Sequence, residues 1–220
     1  MPLDMLRNAF VKGRYGKAAM VSSFGAESAV LLHMLSQVNK VAPVLFVDTQ
    51  MLFQETLDYQ VELAAHFGLE NVQIIRADEF TLRRNDPFGR LHLSDTDSCC
   101  DLRKIAPLEA ALTGYDTWVS GRKRHQTALR ADLTEVEQEG SRIKLNPLAN
   151  WARDDIFAYF DRYDLPRHPL AAKGFGSIGC AACTSKVGIG EDPRAGRWRG
   201  SDKDECGIHF EDGKIVRPAA

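Results

Sequence analysis

The sequence predicts an α/β protein, a parallel twisted sheet flanked by helices. Two observations predict it. Short apolar runs recur at residues 18–21, 43–47, 72–75 and 115–119. Between the first three lie segments with helical periodicity, residues 26–38 and 52–67. Strand and helix alternating at this spacing means βαβ units. Gly68 is placed to end the second helix. Residues 143–145, followed by Pro147, read as a last, edge strand. Between residues 78 and 98 the pattern weakens, and a long connection in a compact domain is often functional.

The composition narrows the function. A chain of 220 residues fits one domain with a tail. With 44% hydrophobic and 26% charged residues, it can bury a sizeable core. A net charge of -2 offers no global basic field, so no nucleic-acid partner is expected. No apolar run approaches the roughly 20 residues of a membrane span. The first residues lack a signal-peptide pattern, so a cytoplasmic protein without a membrane partner is expected.

The loop after the first strand reads Ser22-Ser23-Phe24-Gly25-Ala26-Glu27-Ser28. A small-residue loop between strand and helix directs backbone N–H groups at one spot, at the positive end of a helix dipole. It is either an anion site for phosphate or sulfate, or an ordinary βα turn. Asp48, after the second strand, lies on the same sheet edge and is expected to cap the next helix. After the fourth strand comes Ser120-Gly121-Arg122-Lys123-Arg124-His125-Gln126. Cations at a helix start oppose the dipole, so a bound anion explains them better than a solvated helix end. Arg194, Arg197 and Arg199 surround Trp198 and form either a solvated patch or an anion clamp. His168, between two prolines, reads as structural or exposed.

The five cysteines are placed unevenly: Cys99-Cys100, Cys180-x-x-Cys183, and Cys206 alone. In a chain of this type disulfide staples are not expected. Ser98 is expected to cap a helix that begins at Cys99. Glycines flank Cys180 and Cys183, as where backbone approaches a bulky centre. Four thiolates suit zinc or an iron–sulfur cluster. Adjacent cysteines strain a single small ion, whereas separate irons accept them, so the cluster is favoured. Cys206 sits in Glu205-Cys206-Gly207-Ile208-His209, where an unpaired thiol is costly unless used.

Taken together, the loop at residues 22–28, Cys99-Cys100-Asp101-Leu102-Arg103-Lys104, Gly121-Arg122-Lys123-Arg124-His125-Gln126, Cys180-Ala181-Ala182-Cys183 and Glu205-Cys206-Gly207-Ile208-His209 resemble the assimilatory adenylyl-sulfate reductases. These form the cluster-containing branch of the phosphoadenylyl-sulfate reductase family. The resemblance runs in order from residue 22 to residue 209.

The resemblance implies an adenine nucleotide α-hydrolase-like sheet and a reductase domain at residues 1–200. It also implies a mobile C-terminal tail, residues 201–220, carrying the nucleophile. A 4Fe-4S cluster on Cys99, Cys100, Cys180 and Cys183 is implied. So is attack of the Cys206 thiolate on the sulfur of adenylyl sulfate, releasing AMP and leaving S-sulfocysteine. Thioredoxin or a similar dithiol then releases sulfite. Ser22, Ser23, Phe24, Gly25, Lys104, Arg122, Arg194 and Arg197 are the implied substrate-binding residues, and His209 is placed near Cys206. The sequence departs from the family at residues 50–56 and at His125. The four cluster cysteines point to adenylyl sulfate, with the 3′-phosphorylated substrate as the alternative. An ATP pyrophosphatase-type adenylating or thiolation enzyme is the competing class. Against it, Phe24 and Glu27 replace its loop signature. Homo-oligomer formation stays open.

Overall fold

The structure, a computed structural model, describes residues 1–200, 203, 205, 210–211 and 214–215. Six strands form the sheet: β1 (Ala18–Ser22), β2 (Val44–Val47), β3 (Val72–Ile75), β4 (Thr117–Val119), β5 (Val136–Glu139) and β6 (Arg142–Leu145). Their order is β3-β2-β1-β4-β6-β5, and every pair is parallel except β5 with β6. The order reverses at β1, so the loops after β1 and β4 diverge at the carboxyl edge and open a crevice between them. The residues 143–145 therefore lie inside the sheet, not at its edge. The edge is β5, whose polar Val-Glu-Gln-Glu sequence carries little strand signal; it turns back through Gly140 at φ 58.

Two layers of helices cover the sheet. Helices α1 (Pro2–Phe10), α2 (Ser28–Ser36) and α3 (Gln54–Phe67) pack on one face with α8 (Arg153–Arg162). Leu6, Leu35, Leu63, Ile156 and Phe160 meet there, all buried. On the other face α7 (Ala106–Leu112) sets Leu108 and Leu112 against Ala19, Leu45 and Trp118. Helix α2 is apolar nearly all round because other elements enclose it. Gly68 ends α3 in the left-handed conformation at φ 64, as expected. That helix starts at Gln54 rather than Leu52, because Leu52 pairs across a bridge with Cys180. Residues 78–98 fold into α4 (Glu79–Asn85), α5 (Leu91–Ser94) and the start of α6 (Thr96–Cys100). Helices this short leave no periodicity to read. A two-stranded pair, β7 (Phe210–Glu211) with β8 (Lys214–Ile215), lies near the C-terminus. Among the described residues no helix is long and apolar enough to cross a membrane.

His168 is structural. It is 1% exposed, and the Leu170 N–H donates to its Nδ1 at 3.2 Å. The ring proton therefore sits on Nε2 and is donated to Thr56 Oγ1, 3.0 Å away. The bond fastens residues 165–170 to α3. Burial, against the opposing charge of Glu55, pushes this imidazole from the usual 6.5 down to about 4. The unfolded chain takes up the proton first. Stability is thus full above about pH 6.5 and falls as pH drops toward 4. Urea unfolding is expected to lose about 2 kcal/mol between pH 7 and pH 5 from this group. His168→Gln should lower stability at pH 7 and flatten that slope.

Candidate active site

At the carboxyl edge the loops after β1 and β4 and the segments around residues 176–180 and 192–198 enclose a cleft of about 410 Å³. Ser22, Ser23, Gly25, Lys104, Arg122, Arg194 and Arg197 all line it, as does Cys180. The anion-loop residues and the cationic residues expected from the sequence are thus brought to one space. Phe24 is the exception: its ring is fully buried and packs edge-on to Phe46 at 5.1 Å. Its backbone sits at φ 48, which costs on the order of 1 kcal/mol for a side chain of this size. Burying the ring returns roughly 2–3 kcal/mol, so the strained turn holds. Phe24 shapes the loop from below, and its side chain does not face the cleft.

The cations are held by carboxylates of the fold. Lys123, 2% exposed, donates to Glu27 Oε2 at 2.7 Å, which also accepts from Gln126. The Glu27 carboxyl is held below its usual range: burial raises it most, but the charge and hydrogen bond of Lys123, with His125 and Gln126, together outweigh burial. The β1 and β4 loops are therefore tied by a charge pair. Arg122 pairs with Glu137 of β5 and reaches Asn146 Oδ1 at 3.3 Å. Residues 120–126 do not open an α-helix, as the cationic run suggested; they form one short turn at Arg124–Gln126. The dipole argument for an anion there falls away, because internal partners account for Arg122 and Lys123. Arg197 differs. Among the described residues no carboxylate lies within ion-pair range of it, and its buried Nε has no hydrogen-bond partner. It stacks over Trp198 at 4.4 Å. A Cβ at Gly179 would stand 2.3 Å from its Nη2, so the glycine makes room for the guanidinium.

The two cysteine pairs approach behind the same cleft. Helix α6 starts at Thr96, capped by Asp95, whose Oδ1 accepts from Ser98 N at 2.9 Å. Ser98 is not the cap, because the aspartate three residues earlier takes that position. The chain then widens into a π-helical stretch, Asp101–Ile105, before α7. Pro107 has no N–H to give, so the wider turn closes through Ala106 N to Asp101 O. Arg103 and Ile105 turn into the core, and Lys104 faces the cleft. Cys180 and Cys183 sit on a turn fixed by Ala181 N to Met51 O at 2.7 Å and Trp198 N to Cys183 O at 3.0 Å. Thr49 Oγ1 lies 3.1 Å from Cys180 Sγ. Asp48 does not cap α3. It holds Gln50 N at 2.8 Å and Arg76 Nε at 2.8 Å, bracing this turn.

The Cys99 thiol is pushed up to about 11, first by burial and then by Cys100, with Cys180 and Cys183 adding to it and Arg103 opposing. Burial, Cys180 and Cys100 raise Cys183, while Arg197 and Lys104 oppose. The four thiols therefore feel one another. None is in a disulfide. Among the described residues no three Cys, His, Asp or Glu side chains meet at one point, so no single-ion site is formed. The donor set, four thiols on two segments beside cations, fits a multi-iron centre in which each iron takes its own thiolate. Cys206 and His209 lie outside the described residues.

The sequence profile of the Phosphoadenosine phosphosulfate reductase domain matches residues 17–186. The chain belongs to the phosphoadenosine phosphosulfate reductase family. An adenosine 5′-phosphosulfate reductase of Mesorhizobium japonicum is 47% identical over 95% of this chain and 82% of its own length. One from Chelativorans sp. is 49% identical over 89% of this chain and 80% of its own. Among solved structures, the phosphoadenylyl-sulfate reductase of Candida auris in a phosphate complex superposes with a TM-score of 0.70 at 26% identity, covering 84% of this chain and 90% of that one. The match spans the β1 loop, the β4 loop and both cysteine pairs, while the cleft wall at residues 192–198 lies beyond it.

Sequence reading missed Arg103, Asp86 and Thr49. Arg103 Nη2 donates to Asp86 Oδ2 at 2.8 Å and its Nη1 to Thr49 O at 3.2 Å. A lone arginine in a charged helical run gives no signal of inward orientation. Asp86 and Arg103 are both buried, so removing the cation leaves a buried charge with only two backbone N–H partners, Arg90 and Leu91. Arg103→Gln is expected to cost roughly 3 kcal/mol in urea unfolding, and Asp86→Asn in the same background should recover part of that loss.

Proposed function

We propose that this protein reduces adenylyl sulfate to sulfite and AMP, with thioredoxin or a similar dithiol as electron donor, in assimilatory sulfate reduction. The observation that carries the reading is one cleft in which a small-residue βα loop, Lys104, Arg194 and Arg197 surround a space backed by Cys180. The names of the relatives support the substrate class. The phosphoadenylyl-sulfate reductase likeness supports the 3′-phosphorylated compound as second substrate.

In this reading Ser22, Ser23 and Gly25 receive the phosphosulfate on hydroxyls and backbone N–H groups. Arg194 and Arg197 hold its charge. Lys104 and Arg122 stabilise the negative charge that builds on the departing phosphate oxygen. The Cys206 thiolate, carried on residues 201–220 after a reductase domain of residues 1–200, attacks the sulfur. The S–S bond forms as the S–O bond breaks, and AMP leaves with the electron pair. A thiolate of the dithiol then attacks Cys206 Sγ and expels sulfite with the S–S electron pair. Its second thiol closes the disulfide and returns Cys206 as a thiol. His209 guides the proton near Cys206. Cys99, Cys100, Cys180 and Cys183 would hold a 4Fe-4S cluster, which supplies fixed charge beside Lys104 when bound.

Mixing the protein anaerobically with adenylyl sulfate, without reductant, tests this. Intact mass should rise by one sulfonate per chain, mapped to Cys206, with one AMP released. Cys206→Ser should form no adduct and release no sulfite. Sulfite release by that variant would contradict the mechanism.

A further inference from the structure

The residue before Cys206 is buried in the cleft wall. Glu205 is 7% exposed and lines the cleft. Its Oε2 accepts from Arg130 Nη2 at 2.6 Å and lies 3.6 Å from Arg194 Nη2. Its Oε1 accepts from Thr127 Oγ1 at 2.8 Å. Arg130 is itself braced by Gln126, which also bonds Glu27 of the β1 loop. Burial alone would raise this carboxyl, but Arg130 and Arg194 hold it below the usual range, so it is ionised. Two residues earlier, Lys203 pairs with Asp97 of α6 and lies 5.7 Å from the Trp198 ring. The two side chains fasten the root of the tail at two separate points, one on the cysteine helix and one in the arginine wall.

Arg130, Arg194 and Thr127 together form a socket around the Glu205 carboxylate. The socket joins the β4 loop, which supplies Thr127 and Arg130, to the 192–198 segment, which supplies Arg194. Both line the cleft where the substrate anion is proposed to sit. We propose that Glu205 is a positioning residue for the reaction: the Arg130, Arg194 and Thr127 socket grips its carboxylate and fixes where the next residue along the chain, Cys206, presents its thiol. This rests on the reading of Cys206 as nucleophile. Misplacing a reacting atom by about 1 Å can cost a hundredfold in rate, so a socket on the adjacent residue is an effective control.

The test compares wild type, Glu205→Gln, Glu205→Asp and Thr127→Val, all cluster-loaded to equal iron content. Three quantities are read: AMP affinity, the single-turnover rate of the Cys206 adduct at saturating adenylyl sulfate, and the rate of tryptic cleavage after Lys203 without nucleotide. Glu205→Gln should slow adduct formation about a hundredfold. Its AMP affinity should change far less than its adduct rate. Its tail should be cleaved several-fold faster. Glu205→Asp should recover part of the rate. Thr127→Val, which keeps every charge, should slow the adduct about tenfold, the loss of one hydrogen bond to a carboxylate. An adduct rate in Glu205→Gln within twofold of wild type would overturn the proposal. So would tighter AMP binding at an unchanged rate, which would make the carboxylate a stand-in for the substrate anion. Absence of any Cys206 adduct in wild type would instead remove the mechanism on which the proposal rests.

Discussion

The buried pair of Arg103 and Asp86 is the constraint on which the rest of the site depends. Arg103 stands three residues after Cys100 in the π-helical stretch, so its guanidinium turns inward from the same helix that carries Cys99 and Cys100. One end of it is held by Asp86, which also caps the backbone at Arg90 and Leu91. The other end holds the carbonyl of Thr49, whose hydroxyl touches Cys180. A single side chain thus links the first cysteine pair, the end of β2 and the second cysteine pair. Exposed ion pairs are worth little, but one with both partners desolvated is costly to break.

The cleft follows a related logic. A ring of cations cannot be kept together by a fold without counter-charge. Glu27, Glu137 and Glu205 supply it, each from a different element, and each fixes a different wall. Glu27 ties the β4 loop to the β1 loop, and Glu137 ties it to the edge strand. Arg197 is placed differently, packed between Gly179 and Trp198 without a carboxylate among the described residues. Its charge is one the described fold leaves for a ligand.

Much of this was legible from the residues. The parallel sheet, the β1 loop and Gly68 follow from apolar spacing and motif chemistry, while the placing of the cysteine pairs beside that loop came with the family resemblance. What was not legible depends on long-range geometry. Val136–Glu139 is a strand because β6 offers it an edge, not because its side chains favour one. Phe24 points into the core because the loop turns through φ 48 above Phe46. Asp48 looked like a helix cap, yet its partners are a backbone N–H two residues on and an arginine from beyond β3. Arg103 gave no sign in sequence of its inward turn. Local pattern identifies elements and motifs, while the partners of buried charges are set by packing.

In the proposed function, four thiols from two segments hold one iron–sulfur centre beside the cleft. The most direct measurement is iron, acid-labile sulfide and zinc in protein purified without oxygen. About four irons and four sulfides per chain are expected, lost together on serine substitution at Cys99, Cys100, Cys180 or Cys183. One zinc per chain with no sulfide, or full iron retained without Cys180, would contradict it.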